Sequence, residues 1–264
     1  LSLLKKINGI FNFKSKLRGK ITNKNGEILF ENFRVGKNQS FFFNAKISEF
    51  GEKQIAVQLG SGEVVIAQKV IVAVPLRVAA LTLNLPWAPS NLIDAMLSTP
   101  TWMATHAKAV VLYERPFWRD AGLSGRIASR SGPLIEAHDH TGVDHTSAAI
   151  FGFVSWSPEQ RRNDPEGLRQ AILDQLSECF GKAALCPTKL VVEDWAANPR
   201  IVTDLDVSHP AAHPDVGPAV LRQSHLDDRV RFAVSEVSKL SPGLIEGALA
   251  IGESVAAEVF GTSA

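Results

Sequence analysis

Residues 231–260 read RFAVSEVSKLSPGLIEGALAIGESVAAEVF. A short apolar run breaks into a polar turn, and Pro242-Gly243 then opens a segment whose apolar residues recur at helical spacing. The reading is strand, turn, helix. Gly247, Ala248, Gly252, Ala256 and Ala257 thin two adjacent flanks of that helix, so it can approach a sheet or a bound group closely. Its start after Gly243 leaves backbone N–H groups open to an anionic or carbonyl group, although any strand-turn-helix unit ends this way.

Upstream, KLVVEDW at 189–195 reads as a strand followed by a long Pro- and His-containing loop, VSHPAAHPDVGP, which leads into AVLRQ. Residues 165–180 form the clearest helix: Asp164 caps it, Pro165 suits its first turn, Leu168, Ile172, Leu176 and Phe180 make one stripe, and Gly181 stops it. THAKAVVLY at 105–113 and SAAIFGFVSW at 147–156 are strands, and 86–101 reads as loop, short helix, loop. In 43–75, Ile55, Val57 and Leu59 alternate with polar residues, Gly60-Ser61-Gly62 turns the chain, and VVIAQKVIVAVP runs to Pro75. The IVAVP part is predicted to lie inside a sheet covered on both faces. Asn25-Gly26 predicts a hairpin within 18–35.

The 264 residues are 45% apolar and 21% charged, enough for a sizeable core in one large or two modest domains. The net charge of +1 gives no global pull toward nucleic acid or an anionic membrane. Residues 1–70 carry roughly +7 and the remainder about −6, read as a solvated basic face. No apolar run reaches the roughly 18 residues that span a bilayer. Cys179 and Cys186, separated by six residues, match neither a zinc knuckle nor a CxxC redox motif, so two free thiols in the cytoplasm are expected.

The closing segment resembles that of the flavin-containing amine oxidases, whose motif runs FAGTE and then GYxEGA before a small-residue helix. Here it stands as Phe232-Ala233-Val234-Ser235-Glu236 and Gly243-Leu244-Ile245-Glu246-Gly247-Ala248. HAKAVVLYERPFW resembles the family strand in which a Lys precedes a PFW triplet, and VIVAVPLRVAALTL and EDWAANPR with the HPDVG loop keep the family order. The resemblance covers roughly residues 43–262. It implies an α/β (α+β) fold: an incomplete FAD-binding Rossmann-like domain from 43–75 and 226–264, and a substrate domain from 76–225 with a mixed, largely antiparallel sheet and flanking helices. Residues 1–42 form a poorly matching segment in which only FRVGKNQS is similar to the family.

The resemblance implies amine oxidation by hydride transfer to FAD, with oxygen as the final acceptor and a small-molecule amine as substrate. Lys108 is then similar to the lysine that holds a water against the flavin; by itself, a Lys on an apolar strand must find a partner, lower its pKa or face solvent from a sheet edge. Val74, Pro75, Ser235, Glu236, Gly243 and Leu244 are the implied cofactor-binding positions, with Ser235 and Glu236 along the ribityl and phosphate region. Trp195 and Leu244 are the implied substrate-lining positions, Leu244 standing where many members have an aromatic. Val234 replaces the usual Gly of FAGTE, a branched side chain where a backbone normally closes on the cofactor. Some family members link the flavin covalently through a Cys shortly before the closing motif; residues 198–231 contain none, so the resemblance implies noncovalent FAD. A homodimer is compatible with the resemblance.

No GxGxxG turn and following helix occur, and the chain opens at Leu1, so it is read as the later part of a longer oxidase. The alternative is a noncatalytic remnant or binding module. A third reading takes His138, Asp139, His140, Asp144 and His145 as a metal cluster; an ordinary connecting segment between strands explains them better, and no metal ligand is assigned.

Overall fold

The computed structural model describes residues 18–22, 28–34, 45–143, 148–209 and 215–260. The chain divides into two units, Leu1–Phe43 and Asn44–Ala264. In the first, β1 (Arg18–Thr22) pairs antiparallel with β2 (Ile28–Arg34), the predicted hairpin. Its Asn25-Gly26 turn lies outside the described residues, as do 35–40 of FRVGKNQS, His213, and Asp144 and His145.

The second unit begins with an antiparallel meander of β3 (Lys46–Phe50), β4 (Gln54–Gln58) and β5 (Val64–Ala67). Gly60-Ser61-Gly62 is the β4–β5 turn, with Gly62 at φ +88°, the left-handed conformation that favours glycine. After β6 (Val70–Val72), Pro75 starts α1 (Leu76–Thr82), and α2 (Ser90–Ser98) follows in the expected short-helix segment.

Next come β7 (Ala107–Tyr113), α3 (Phe117–Asp120), β8 (Ile127–Ala128), β9 (Leu134–Asp139), β10 (Ala148–Val154), α4 (Pro158–Asn163), α5 (Pro165–Phe180) and β11 (Lys189–Asp194). A short helix in the long loop, α6 (Asp204–Ser208), precedes β12 (Val230–Phe232) and α7 (Ile245–Phe260). The five strands β11-β7-β10-β9-β8 form one antiparallel sheet, and β12 and β6 form a parallel pair. The fold is mixed α/β with a largely antiparallel main sheet.

Two apolar cores organise the unit. The first gathers Ile47, Ile55, Val72, Leu76, Leu92, Met96, Phe232 and Val237. The second gathers Ala109, Val111, Trp118, Leu134, Ile150, Leu168, Ile172 and Leu176, the last three being the predicted stripe of α5. That helix starts as its sequence dictates, with the Asp164 carboxylate accepting from Gly167 N at 2.8 Å, and ends at Gly181 with φ +91°. Each buried Leu or Ile on the stripe contributes about 1.5–3 kcal/mol.

Two expectations need correction. The IVAVP run is not enclosed on both faces: β6 is three residues long with β12 beside it, and Ile71 is 39% exposed. Gln68 and Lys69 break the apolar run into β5 and β6, and the β5 residues Val64, Val65 and Ile66 are exposed as well. Residues 134–139 are also no connecting segment but β9, an inner strand of the large sheet. Glu136 and His138 flank buried Ala137, but Leu134 is buried across a register shift against β10, so the segment lacks the regular two-residue alternation that marks a strand.

The first part of the long loop is anchored through α6. Asp206 of α6 is almost wholly buried; it accepts from Arg77 Nη1 of α1 at 2.9 Å and caps its own helix through Thr203 N at 2.9 Å. Arg77 also donates through Nε to Leu97 O at 2.8 Å, which ties the loop to both α1 and α2.

Candidate active site

Burial along β7 alternates. Ala107, Ala109, Val111 and Tyr113 are buried against the second core, whereas Lys108, Val110 and Leu112 are half-buried on the opposite face. The pairing registers place Lys108 across from Phe153 of β10 on one side and from Glu193 of β11 on the other. Phe153 in turn faces Glu136 of β9, so Glu193, Lys108, Phe153 and Glu136 make one row across the open face. The next row contains Val191, Val110, Phe151 and His138.

Lys108 is thus on a central strand, and the solvent-facing edge position is ruled out. Its Nζ lies 5.6 Å from the Phe151 ring centroid, 5.1 Å from Phe153 and 5.3 Å from Trp195. Phe151 and Phe153 are themselves edge-to-face at 5.2 Å. Three ring faces stabilise an ammonium where no carboxylate contacts it among the described residues, and each such contact contributes about 0.5–1 kcal/mol or more as water is excluded.

Trp195 reaches this position because β11 ends in a tight turn, Trp195–Ala197, and its backbone N–H donates to His106 O at 3.2 Å. Burial, followed by the positive charges of Arg161 and Lys108, lowers the His106 pKa.

Of the other expected cofactor positions, Val74 packs partly buried against the first core, and Pro75 caps α1, its carbonyl accepting from Ala79 N at 2.8 Å. Ser235 Oγ donates to Glu236 at 2.8 Å, and Glu236 is only 6% exposed. Gly243, at φ +75°, donates to Ser235 O at 3.2 Å, and Leu244 N donates to Ser241 O at 3.2 Å. The expected open donors are therefore not those of Gly243 and Leu244. They belong to the first turn of α7, which begins at Ile245. Val234, at the position of the motif's Gly, is buried in the first core, while its neighbours Ala233 and Ser235 are half-buried.

The histidine-rich segment has other partners. Asp139 accepts from Trp118 Nε1 at 2.8 Å, from Arg119 Nε at 2.6 Å and from Thr141 N at 2.8 Å. Burial alone would raise its pKa, but these hydrogen bonds outweigh burial and hold the carboxyl well below the usual carboxylate range. Gly125 closes on this pair, and a Cβ there would meet Trp118 Nε1 at 2.8 Å. His138 contacts Glu136 at 2.8 Å. Among the described residues no group of three or more His, Cys, Asp or Glu side chains could hold a metal ion. Cys179 and Cys186 are unpaired and exposed, and burial raises the Cys179 pKa.

Sequence reasoning missed Phe151 and Phe153. Their signal was the FGF triplet at 151–153, in which alternate residues share a face, but only the strand register brings them to Lys108.

The sequence profile described as flavin containing amine oxidoreductase matches residues 39–260. The chain belongs to this family. It is 26% identical over 213 residues to a probable flavin-containing monoamine oxidase A of Dictyostelium discoideum, covering 78% of this chain and 45% of that protein. It is 31% identical over 162 residues to the putrescine oxidase of Kocuria rosea, covering 58% and 32%. Cyclohexylamine oxidase from Brevibacterium oxydans shares the fold, with a TM-score of 0.61 at 20% identity over 81% of this chain and 47% of that one. The chain thus spans less than half the length of these amine oxidase relatives.

Proposed function

We propose that this chain supplies the substrate-facing sheet and the closing flavin segment of an FAD-dependent amine oxidase acting on a small amine. The observation that carries the reading is the Lys108 ammonium held among Phe151, Phe153 and Trp195 on the open face of the sheet, in a chain of this family. FAD, when bound, would supply the hydride acceptor and the redox route from the amine to oxygen.

The roles of the chain follow from its chemistry. Lys108 has three N–H donors, enough to hold and polarise a water at the reacting face. The rings around it keep bulk water out and, with Trp195 and Leu244 bordering the substrate, receive the apolar body of an amine. Glu236 has acceptor capacity beyond its bond from Ser235, which suits the hydroxyls of a ribityl chain; a phosphate would be repelled by that carboxylate. Val74, Pro75, Gly243 and Leu244 provide backbone close to a flat ring. In this reading residues 43–75 and 226–264 form the flavin side and 76–225 the substrate side, and the FAD is noncovalent.

The two exposed thiols support a cytoplasmic setting, and no helix among the described residues is long and apolar enough to cross a membrane. A homodimer belongs to the same proposal and is checked by light scattering. The alternative, a noncatalytic binding module, is favoured by one observation: the exposed apolar residues of β5 and β6. Loading the full-length protein that contains this chain with FAD, removing free flavin and adding amines without oxygen separates the two. Retained flavin that bleaches supports the oxidase; a folded full-length protein that retains no flavin supports the module.

A further inference from the structure

We infer that Arg161, through its pair with Asp194, is a positioning residue that sets the Trp195 ring against Lys108; the inference rests on the reading of the Lys108 face as the reaction surface. Arg161 projects from α4, which starts with a Ser157–Gln160 capping box, and its side chain is 4% exposed. Its Nε donates to Asp194 Oδ2 at 2.8 Å and its Nη2 to Asp194 Oδ1 at 2.7 Å, a two-pronged pair. The same Nη2 donates to Thr105 O at 2.8 Å, and Nη1 donates to Trp156 O.

The segments that carry Lys108 and Trp195 meet at this guanidinium. Asp194 directly precedes Trp195, and its Oδ1 also accepts from Ala196 N at 3.0 Å, which closes the turn that carries the indole. Thr105 lies three residues before Lys108, and Trp195 N is bonded to His106 O between them. One side chain therefore fixes the start of β7, the end of β11 and the turn beyond it. A planar fork is needed for this: an ammonium has the charge but cannot span two carboxylate oxygens and a carbonyl in one plane. A buried ion pair by itself adds little net stability over apolar groups of the same size, so this one is better explained by what it orients.

The test reads Lys108 directly and needs no flavin. Reductive methylation of the intact chain with carbon-13 formaldehyde puts methyl labels on its lysines, and loss of one resonance in Lys108→Met assigns the Lys108 signal. The neighbouring rings shift that signal upfield of the surface lysines. In Arg161→Lys and Arg161→Gln the upfield displacement collapses toward the surface-lysine position. Leu176→Ala, a comparable insult to the second core, leaves it in place. Should the Arg161 variants fail to fold, Asp194→Asn, which keeps the size and halves the pair, gives the same collapse. A displaced parent signal that stays displaced in the folded variants overturns the positioning role. A parent signal with no displacement overturns the reading of the Lys108 face itself.

Discussion

Strands β10 and β5 are comparably apolar, yet their fates differ. In β10 (AAIFGFV), Ala148, Ala149, Ile150, Gly152 and Val154 are buried, whereas in β5 (VVIA) no residue is. The first lies between β7 and β9 with the α5 stripe in the same core; the second is the outer strand of a three-stranded meander. Hydrophobic sequence sets the demand for burial, and neighbours on both edges together with a covering helix meet it.

The contrast is open to attack by substitution. Trp118→Ala, at the centre of the second core, should cost about 3–5 kcal/mol in urea unfolding, because it removes a fully buried ring and leaves a cavity. Asp206→Asn should cost about 3–5 kcal/mol, since Arg77 would remain buried without its counter-charge. Asp139→Asn should cost about 1.5–3 kcal/mol at neutral pH by weakening the charged hydrogen bonds from Arg119 and Trp118. The Asp139 pKa is lowered in the folded state, so its contribution is present above the unfolded value near pH 4 and is lost as the pH falls further.

A smaller effect separates the first core. His225 meets the Trp87 ring at a tilt and the Phe232 ring edge-to-face, and its Nε2 is buried with no hydrogen-bond partner; burial, with Arg231 adding to it, outweighs a backbone hydrogen bond at Val220 and lowers its pKa. The folded state therefore prefers the neutral ring. Its contribution is full above roughly pH 6.5 and declines as the pH drops through the lowered value, by at most about 1.4 kcal/mol per pH unit. Thermal melts at pH 7.5 and 5.5 should show this loss, and His225→Phe should reduce it. Smallest of all, Ile66→Thr on the exposed row of β5 should change stability by about 0.5 kcal/mol or less. A large loss there would mean that β5 is covered after all.

Where one element supplied its own signals, the sequence was readable. The helix over 165–180 follows from its cap, stripe and terminal glycine, and β7, β10 and β11 follow from their apolar runs. What resisted reading was relational. The burial of β6 depends on how many strands flank it, and Phe151 and Phe153 meet Lys108 only through register. Trp195 was suggested by family resemblance alone, since the turn that aims it depends on Arg161, 33 positions from the Asp194 that it grips. Asp139 read as part of a connecting segment with no role of its own, because a string of residues does not show Trp118 and Arg119 waiting for its carboxylate.

The most direct test of the account is the rate of amine-driven flavin reduction, and of flavin reoxidation by oxygen, in the FAD-loaded protein with Lys108 and with Lys108→Met. The account predicts that at least one of the two rates falls by roughly 10²-fold, the scale of a positioned proton-transfer group, while flavin remains bound. Unchanged rates for both steps in a folded, flavin-holding Lys108→Met protein would contradict it.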